Sequence, residues 1–273
     1  MTSLSSEPVP RELARALADA APRLGRFVES IEYFSTVGST NDVALHRAAS
    51  SGQEYRVIVA DAQTSGRGRR GRTWFSPPGA GLYVSVILTP GRAREAKRAR
   101  MLTTLAAGVA IAEGVGEAAG LRADMKWPND LFVGRRKLAG VLAEGVADAV
   151  VLGYGINVGQ AAYPPELSDR ITSLERELGR PVDRAPVLVE TLVALGARYA
   201  DLLDGRFDAI LDAWRARAPG HRGAHVSWTT PAGVQSGVTA GIDDDGALLV
   251  RVVDRVERIV AGELTWADSE LRS

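Results

Sequence analysis

The stretch VIVADAQTSGRGRRGR, residues 57–72, joins a strand-like apolar run to a loop that holds three glycines and four arginines. Glycine allows close approach of the backbone to a ligand, and guanidinium groups suit carboxylates and phosphates. The glycine spacing matches the dinucleotide-binding fingerprint, but that fingerprint requires a helix to start at the last glycine. Pro77-Pro78 follow instead, so the sequence predicts a long loop over 64–81 that binds an anion.

Composition limits the possible function classes. The chain has 273 residues, 45% of them apolar, a formal net charge of zero and no cysteine. Zero net charge provides no general attraction to nucleic acid, so the arginines are a local feature. The lack of cysteine excludes disulfides, thiolate metal sites and a cysteine nucleophile. We find no signal-peptide pattern and no apolar run of the ~18–20 residues that span a membrane, so we expect a cytoplasmic protein without a membrane partner.

The order of apolar patterns predicts an α/β catalytic domain followed by a small β domain. The alanine-rich segment 93–117 is the clearest helix, with Gly120 as its stop signal. From 221 onward, short alternating strands predict a β-barrel of about fifty residues. We therefore expect an N-terminal extension with one short helix over 1–28, a catalytic domain over 29–219 and a barrel over 220–273.

A second polar constellation follows a predicted strand near the middle of the chain. Pro128 excludes a helix there and turns Asn129 and Asp130 outward, directly after Lys126. A cation, an amide and a carboxylate at this spacing are suited to a nucleotide phosphate and its magnesium. An ordinary polar turn is the alternative.

Two later strands carry glycines at unusual positions. Gly140 interrupts the apolar strand that begins at Lys137, and Gly153 interrupts another strand that ends at Asn157. Glycine within a strand marks either a bulge or the close approach of another group to the backbone. Asn157 could read a purine edge.

Taken in order, these motifs resemble a bacterial biotin–protein ligase over roughly residues 31 to 267. The segments that carry the resemblance are Gly38–Asn41, Gln63, Gly66–Arg72, Lys126–Asp130, Lys137–Leu142, Gly153–Asn157 and the Gly241–Gly246 turn. The resemblance implies a mixed-sheet catalytic domain of the class II aminoacyl-tRNA synthetase and biotin ligase type, followed by an SH3-like barrel.

The resemblance also implies a reaction. Biotin and ATP form biotinyl-5′-AMP, and a lysine of a biotin carboxyl carrier protein domain, part of a biotin-dependent carboxylase, then takes the biotin; Mg²⁺ is the implied cofactor. The implied biotin-binding residues are Ser39, Thr40, Asn41, Gln63, Arg67, Gly68, Arg69, Lys137, Gly140, Leu142 and Gly153. The implied nucleotide-binding residues are Arg69, Arg70, Arg72, Trp74, Lys126, Asn129 and Asn157, with Asp130 as the magnesium ligand. Catalysis would rest on Lys137, Arg67 and Arg69.

Several further expectations follow. About thirty residues precede the predicted catalytic domain, fewer than a DNA-recognition module needs, so we expect no repressor role and no sequence-specific DNA partner. We expect residues 64–80 to be mobile without ligands, because four like charges there have no obvious internal partner.

A lipoate ligase of the same fold and a nucleic-acid-binding module are the alternative functions. Both a monomer and a homodimer fit the sequence.

Overall fold

A computed structural model describes residues 5–51, 53–161, 163–231, 233–262 and 264–266. The strands are β1 Ile31–Val37, β2 Val57–Gln63, β3 Gly81–Leu88, β4 Asp124–Lys126, β5 Asp130–Val133, β6 Arg136–Val146, β7 Ala149–Asn157, β8 Arg222–Thr230, β9 Gly233–Ile242, β10 Leu248–Val252, β11 Arg255–Ile259 and β12 Thr265–Trp266. The helices are α1 Arg11–Asp19, α2 Ala21–Leu24, α3 Thr40–Ser51, α4 Ala96–Ala119, α5 Pro165–Ser168, α6 Leu174–Leu178, α7 Arg184–Leu203 and α8 Phe207–Arg215.

A seven-stranded sheet in the order β1-β2-β3-β7-β6-β5-β4 forms the centre of the fold. β1 and β2 run parallel, and the remaining described ladders of this sheet are antiparallel. β3 and β7 are buried along their whole length. Strands buried on both faces have continuous apolar sequences, which explains why both were visible in the sequence. The predicted mixed sheet is confirmed.

Helices cover both faces of this sheet. In β2, Val57 and Val59 face the large core with α4 and α7, whereas Ile58 and Ala60 face a smaller cluster with α3. This alternation follows from the two-residue period of a strand. α4 is long and apolar enough to cross a membrane by length and composition, but 67% of that window is buried inside the fold. It is therefore a core helix, and it ends at Gly120, whose φ is +71°, as the sequence predicts.

The C-terminal residues form a second sheet in the order β11-β10-β9-β8-β12. Apolar residues such as Val226 and Leu248 join the large core. The Trp127 indole N–H donates to the Gly246 carbonyl at 3.0 Å, which ties the second sheet to the turn after β4. Among the described residues this sheet is open, with β11 and β12 at its edges, so the predicted closed SH3-like barrel is not confirmed. Residues 232, 263 and 267–273 of that prediction lie outside the described residues.

The N-terminal segment differs from the single predicted helix. The helix breaks at Ala20, and α2 begins with Pro22 in its first turn. A break there is consistent with proline, which lacks the N–H that a continuing helix would need. Residues 1–4 of the predicted extension lie outside the described residues.

A buried carboxylate joins three peripheral segments beside this region. Glu54 accepts hydrogen bonds from the Thr89 and Tyr199 hydroxyls and pairs with Arg92 at 2.6 Å. Burial acts to raise the pKa of Glu54, but these hydrogen bonds and the charge of Arg92 outweigh it, so the pKa lies below its usual value.

Candidate active site

The floor of the site is a depression in the large sheet, on the face that α3 covers. Two adjacent cross-strand rows form it, Ser85–Gly153–Leu142 and Tyr83–Gly155–Gly140. Three of these positions are glycines, so the sheet lacks side chains where the rows meet β7. Their ladders show no register shift, so the alternative that β7 contains a bulge is wrong.

Side chains from two neighbouring segments occupy the space above these glycines. A Cβ atom at Gly153 would lie 1.9 Å from the Asn41 Oδ1 atom, and one at Gly155 would lie 2.4 Å from the Trp74 Nε1 atom. A Cβ at Gly140 would lie 3.1 Å from the Trp74 ring. The predicted close approach is therefore confirmed. Asn41 lies at the start of α3. Trp74 lies in the loop over 64–81 that carries the four arginines, which we call the arginine loop.

A polar end closes the depression beside α3. Ser39, Thr40 and Asn41 are buried there. The Thr40 backbone N–H and hydroxyl both donate to the Gln63 Oε1 atom, at 2.9 and 3.1 Å. The Ser85 hydroxyl donates to the Asn41 Oδ1 atom at 2.6 Å. Buried polar groups are costly unless they are paired, so this network fixes the side chains at the polar end. We call the depression over Gly140, Gly153 and Gly155 the slot.

The arginine loop closes on itself through its backbone. The Trp74 N–H donates to the Gly66 carbonyl at 2.8 Å, and the Gly68 N–H donates to the Arg72 carbonyl at 2.7 Å. A Cβ at Gly66 would lie 2.4 Å from the Trp74 carbonyl oxygen, so this glycine serves contact within the loop. Arg70 has a φ of +58°, in the left-handed region that non-glycine residues seldom adopt.

At least two arginines of this loop, Arg67 and Arg69, have partners in the fold. Arg67 pairs with Asp42 and with Glu144, each at 2.6 Å. Partial burial acts to lower the pKa of Arg67, but the hydrogen bond to Asp42 and the charges of both carboxylates outweigh it and raise that pKa. Arg69 donates to the Asn129 Oδ1 atom at 3.2 Å. The expectation that the four guanidinium groups lack internal partners is therefore wrong for both residues.

Lys137 lies where the slot meets the polar turn after β4. Its Nζ atom is 2.7 Å from the Asp130 Oδ1 atom and 5.2 Å from the centre of the Trp74 ring. The backbone of Lys137 pairs with 170–172, and the Asn157 amide donates to the Thr172 carbonyl at 3.0 Å. This pairing holds the start of β6 against the end of β7. The amide nitrogen of Asn157 is thus engaged within the fold, and its role toward a purine stays a prediction.

The C-terminal sheet contributes directly to the site. The Lys126 ammonium contacts two aromatic rings, 5.1 Å from the centre of Phe132 and 5.4 Å from that of Trp266. Trp266 belongs to β12. A Cβ at Gly220 would lie 2.6 Å from the Trp266 ring, so glycine is needed there for the ring to adopt this position.

One cavity of about 560 Å³ brings these features together. All eighteen site residues that the sequence suggests line it, together with residues that the sequence did not indicate, among them Phe75, Phe132, Tyr163, Arg170, Ile171 and Trp266. Its charged lining among the described residues comprises Arg67, Arg69, Arg70, Arg72, Lys126, Lys137 and Arg170 against the single carboxylate of Asp130. The described residues contain no cluster of three or more metal-binding His, Cys, Asp or Glu side chains. The cavity is therefore suited to an anionic ligand with an apolar part.

Comparisons with known proteins agree with this geometry. Residues 33–160 match the biotin/lipoate A/B protein ligase family. The bifunctional ligase/repressor BirA of Bacillus subtilis is 36% identical over 239 residues, which cover 85% of this chain and 72% of that protein. The biotin–[acetyl-CoA-carboxylase] ligase of Mycobacterium tuberculosis is 34% identical over 260 residues, 92% of this chain and 94% of that protein.

A solved structure gives the same result for the fold. The biotin protein ligase from Aquifex aeolicus, in complex with biotin and ATP, superposes with a TM-score of 0.76 at 28% identity and covers 88% of this chain and 100% of that chain. The resemblance found in the sequence is confirmed. The chain is a ligase that belongs to the biotin/lipoate A/B protein ligase family.

Proposed function

We propose that this ligase forms biotinyl-5′-AMP from biotin and ATP and then transfers biotin to a lysine of a biotin carboxyl carrier protein domain. The names of its relatives and the biotin and ATP complex of a structural neighbour support this function. The observation that carries it is the shape of one cavity, in which a glycine-floored slot with a polar end opens onto a region lined by cations.

The slot suits biotin in its polarity. Biotin carries a polar ureido ring at one end and an apolar thiophene ring and chain behind it. Ser39, Thr40, Asn41 and Gln63 provide hydrogen-bonding groups for the ureido ring. Gly140, Leu142 and Gly153 border the apolar part. A dithiolane ring offers no comparable hydrogen-bonding groups, so this end of the slot favours biotin over lipoate.

The cations address the main difficulty of the first step. Biotin carboxylate must attack the α-phosphate of ATP, so two anions must approach each other. Lys137, at the mouth of the slot, is placed to stand at the junction of carboxylate and phosphate, with Arg69 beside it on the loop. Nucleotide binding is assigned to Arg69, Arg70, Arg72, Trp74, Lys126, Asn129 and Asn157. Fixed positive charge stabilises the additional negative charge of the transition state without reorganisation during the reaction.

Magnesium fits this site as an ion that enters with ATP. Mg²⁺ is commonly held by one or two carboxylates together with substrate phosphates and water. Asp130 lines the cavity and would be the protein ligand, although it pairs with Lys137 in the structure. When bound, the ion would neutralise phosphate charge.

The second step needs only an acceptor amine. The carrier lysine attacks the mixed anhydride at the biotin carbonyl, the bond to phosphate breaks, and AMP leaves. No enzyme nucleophile is required, consistent with a chain that has no cysteine. We propose no repressor role for the described N-terminal residues, because α1 and α2 pack on α7 and form no recognition module. A sequence-specific complex with DNA would contradict this.

The decisive assay measures pyrophosphate release from ATP by the purified protein with biotin, with lipoate and without acid. Biotin-dependent release supports the proposal, and release with lipoate alone assigns the protein to lipoate ligation. No pyrophosphate release under any of the three conditions refutes adenylation. Arg69→Gly tests the role of the loop in retaining the adenylate. We expect this variant to label bystander proteins with biotin, and the Arg69 assignment fails if none is labelled.

A further inference from the structure

Glu144 lies beside the floor of the cavity without lining it. It follows Leu142 by two positions on β6 and therefore faces the same side of the sheet. Its cross-strand partner is Val151, a member of the apolar cluster under α3. Glu144 thus stands between that cluster and the cavity, and its side chain is only 21% exposed. A carboxylate at such a position requires partners.

The two oxygens of Glu144 hold two different parts of the site. Oε2 accepts a hydrogen bond from the Asn41 Nδ2 atom at 2.8 Å, and Oε1 accepts one from Arg67 at 2.6 Å. Asn41 belongs to the polar end of the slot, and Arg67 begins the arginine loop. A single side chain therefore connects the slot end with the loop.

The amide of Asn41 is fixed from both sides. Its Oδ1 atom accepts from Ser85 at 2.6 Å, while its Nδ2 atom donates to Glu144. The lack of a side chain at Gly153 leaves the room that Oδ1 occupies. Ser85 and Gly153 therefore determine the position of the amide oxygen, and the hydrogen bond to Glu144 determines the position of the amide nitrogen.

The charges around Arg67 change the role that the sequence suggested for it. Asp42 and Glu144 together carry two negative charges against one guanidinium. An approaching carboxylate therefore meets a group of three residues with net negative charge, and direct pairing would require breaking a charge-assisted hydrogen bond. Arg67 is poorly suited to hold the biotin carboxylate, whereas its planar donors are well suited to bridging two carboxylates.

We propose that Glu144 is a positioning residue that orders the biotin site by holding Asn41 and Arg67, and that Arg67 anchors the loop instead of binding the carboxylate. This inference rests on the proposed function for the identity of the ligand, but the anchoring contacts lie entirely within the protein. Glu144 and Asp42 are not among the described residues that line the cavity, so they act through the side chains they hold.

Steady-state kinetics test the effect on the ligand. We expect Glu144→Gln to raise KM for biotin about tenfold or more, and KM for ATP by a smaller factor because the anchored loop also carries proposed nucleotide-binding residues, while kcat stays within about twofold, the pattern of lost binding without lost chemistry. Asp42→Asn should have a smaller effect in the same direction, because Asp42 is 58% exposed and solvent screens its charge. An unchanged KM for biotin in Glu144→Gln overturns the proposal.

Arg67→Lys separates anchoring from simple charge, and it keeps the test open if Glu144→Gln does not fold. Lysine retains the positive charge but lacks the planar fork that reaches Asp42 and Glu144 together. An anchoring role predicts that Arg67→Lys raises KM for biotin, although less than Glu144→Gln does, because Glu144 keeps its hydrogen bond to Asn41. If Arg67→Lys binds biotin as the wild type does, positive charge alone is needed and the anchoring role is refuted.

Trypsin gives a readout that does not depend on activity. The loop contains four arginines, so a released loop should be cut several-fold faster within 67–72 in Glu144→Gln and Asp42→Asn without ligands. Glu190→Gln is the matched control, because it breaks the Arg23–Glu190 ion pair, and neither residue is among the described residues that line the cavity. Wild-type cleavage rates in both loop variants refute the anchoring, whereas wild-type protein without biotin-dependent pyrophosphate release refutes the proposed function instead.

Discussion

Replacing Gly153 with alanine should displace Asn41 at the polar end of the slot, because the added Cβ would collide with the Asn41 side chain. The added Cβ would lie 1.9 Å from the Asn41 Oδ1 atom and 3.0 Å from its Nδ2 atom. Real Cβ contacts do not occur at 1.9 Å, so the Asn41 side chain must move. Its hydrogen bonds to Ser85 and Glu144 oppose that movement. The strand itself, in contrast, tolerates alanine readily.

The size of the effect follows from these contacts. Losing one buried hydrogen bond costs about 1–3 kcal/mol, and overpacking a filled site costs about 1–3 kcal/mol. Reduced freedom of the unfolded chain returns about 0.4–1 kcal/mol when glycine becomes alanine. We expect a net loss of about 3 kcal/mol in the free energy of unfolding, or a fall in Tm of roughly 8 °C for a chain of this size. Displacement of Asn41 should also lower kcat/KM for biotin at least about tenfold, equivalent to 1.4 kcal/mol.

Thermal unfolding and biotin-dependent pyrophosphate release measure these two effects. Gly145→Ala is the matched control, because a Cβ there meets nothing within 4 Å. Asn41→Ala combined with Gly153→Ala removes the collision partner, so the two changes should be strongly non-additive in stability. If Gly153→Ala alone keeps wild-type Tm and biotin kinetics, the described packing of Asn41 against β7 is incorrect.

Three further substitutions test other parts of the site and fold. Gly155→Ala would place a Cβ 2.4 Å from the Trp74 indole nitrogen, and it should change tryptophan fluorescence and raise KM for ATP because Trp74 is a proposed nucleotide-binding residue; unchanged values would contradict the described ring position. Trp266→Leu removes one ring beside Lys126, worth about 0.5–2 kcal/mol, so KM for ATP should rise several-fold at constant KM for biotin; equal rises in both would indicate general damage. Because the pKa of Glu54 is lowered, its stabilisation is present above its ordinary value of 4.5 and is lost as pH falls through the folded-state pKa. Glu54→Gln should therefore reduce the pH dependence of Tm below 4.5, and an unchanged dependence would show that other groups dominate acid unfolding.

The sequence predicted local features of the site better than their partners. Gly140 and Gly153 indicated close approach to the backbone, and the structure confirms it. The identity of the approaching groups, Trp74 and Asn41, depends on how α3 and the loop pack over the sheet, which no local pattern records. The same limit applies to Arg67 and Glu144, which are separated by 77 positions in the chain. The density of arginines in the loop therefore gave the wrong expectation that these side chains lack partners within the protein.

Other differences have equally specific causes. The segment 170–172 pairs with the start of β6 but has no strand-like alternation, so nothing in its sequence indicated a place in the site. Short alternating strands predicted the C-terminal β unit, but alternation does not determine whether the first and last strands meet. Trp266 reached the cavity because β12 pairs with β8, a contact that tertiary structure alone reveals.

The contacts divide the arginine loop into two parts. The residues that flank 67–73 form a stem bonded to neighbouring segments, and residues 67–73 form a smaller tip. Thr64 and Ser65 continue the pairing along β1, the Gln63 N–H donates to the Ser76 carbonyl at 3.1 Å, and the Gly79 N–H donates to Asp61. These bonds hold both ends of the segment against the neighbouring strands, and the mobility of residues 64–80 without ligands stays a prediction. Any closure over ligands must therefore involve the tip over 67–73, with its anchor at Arg67. Trp74 belongs to the stem and lies over Gly140 and Gly155, so its ring forms one wall of the site, and closure of the tip would bring the remaining cations to the ligands.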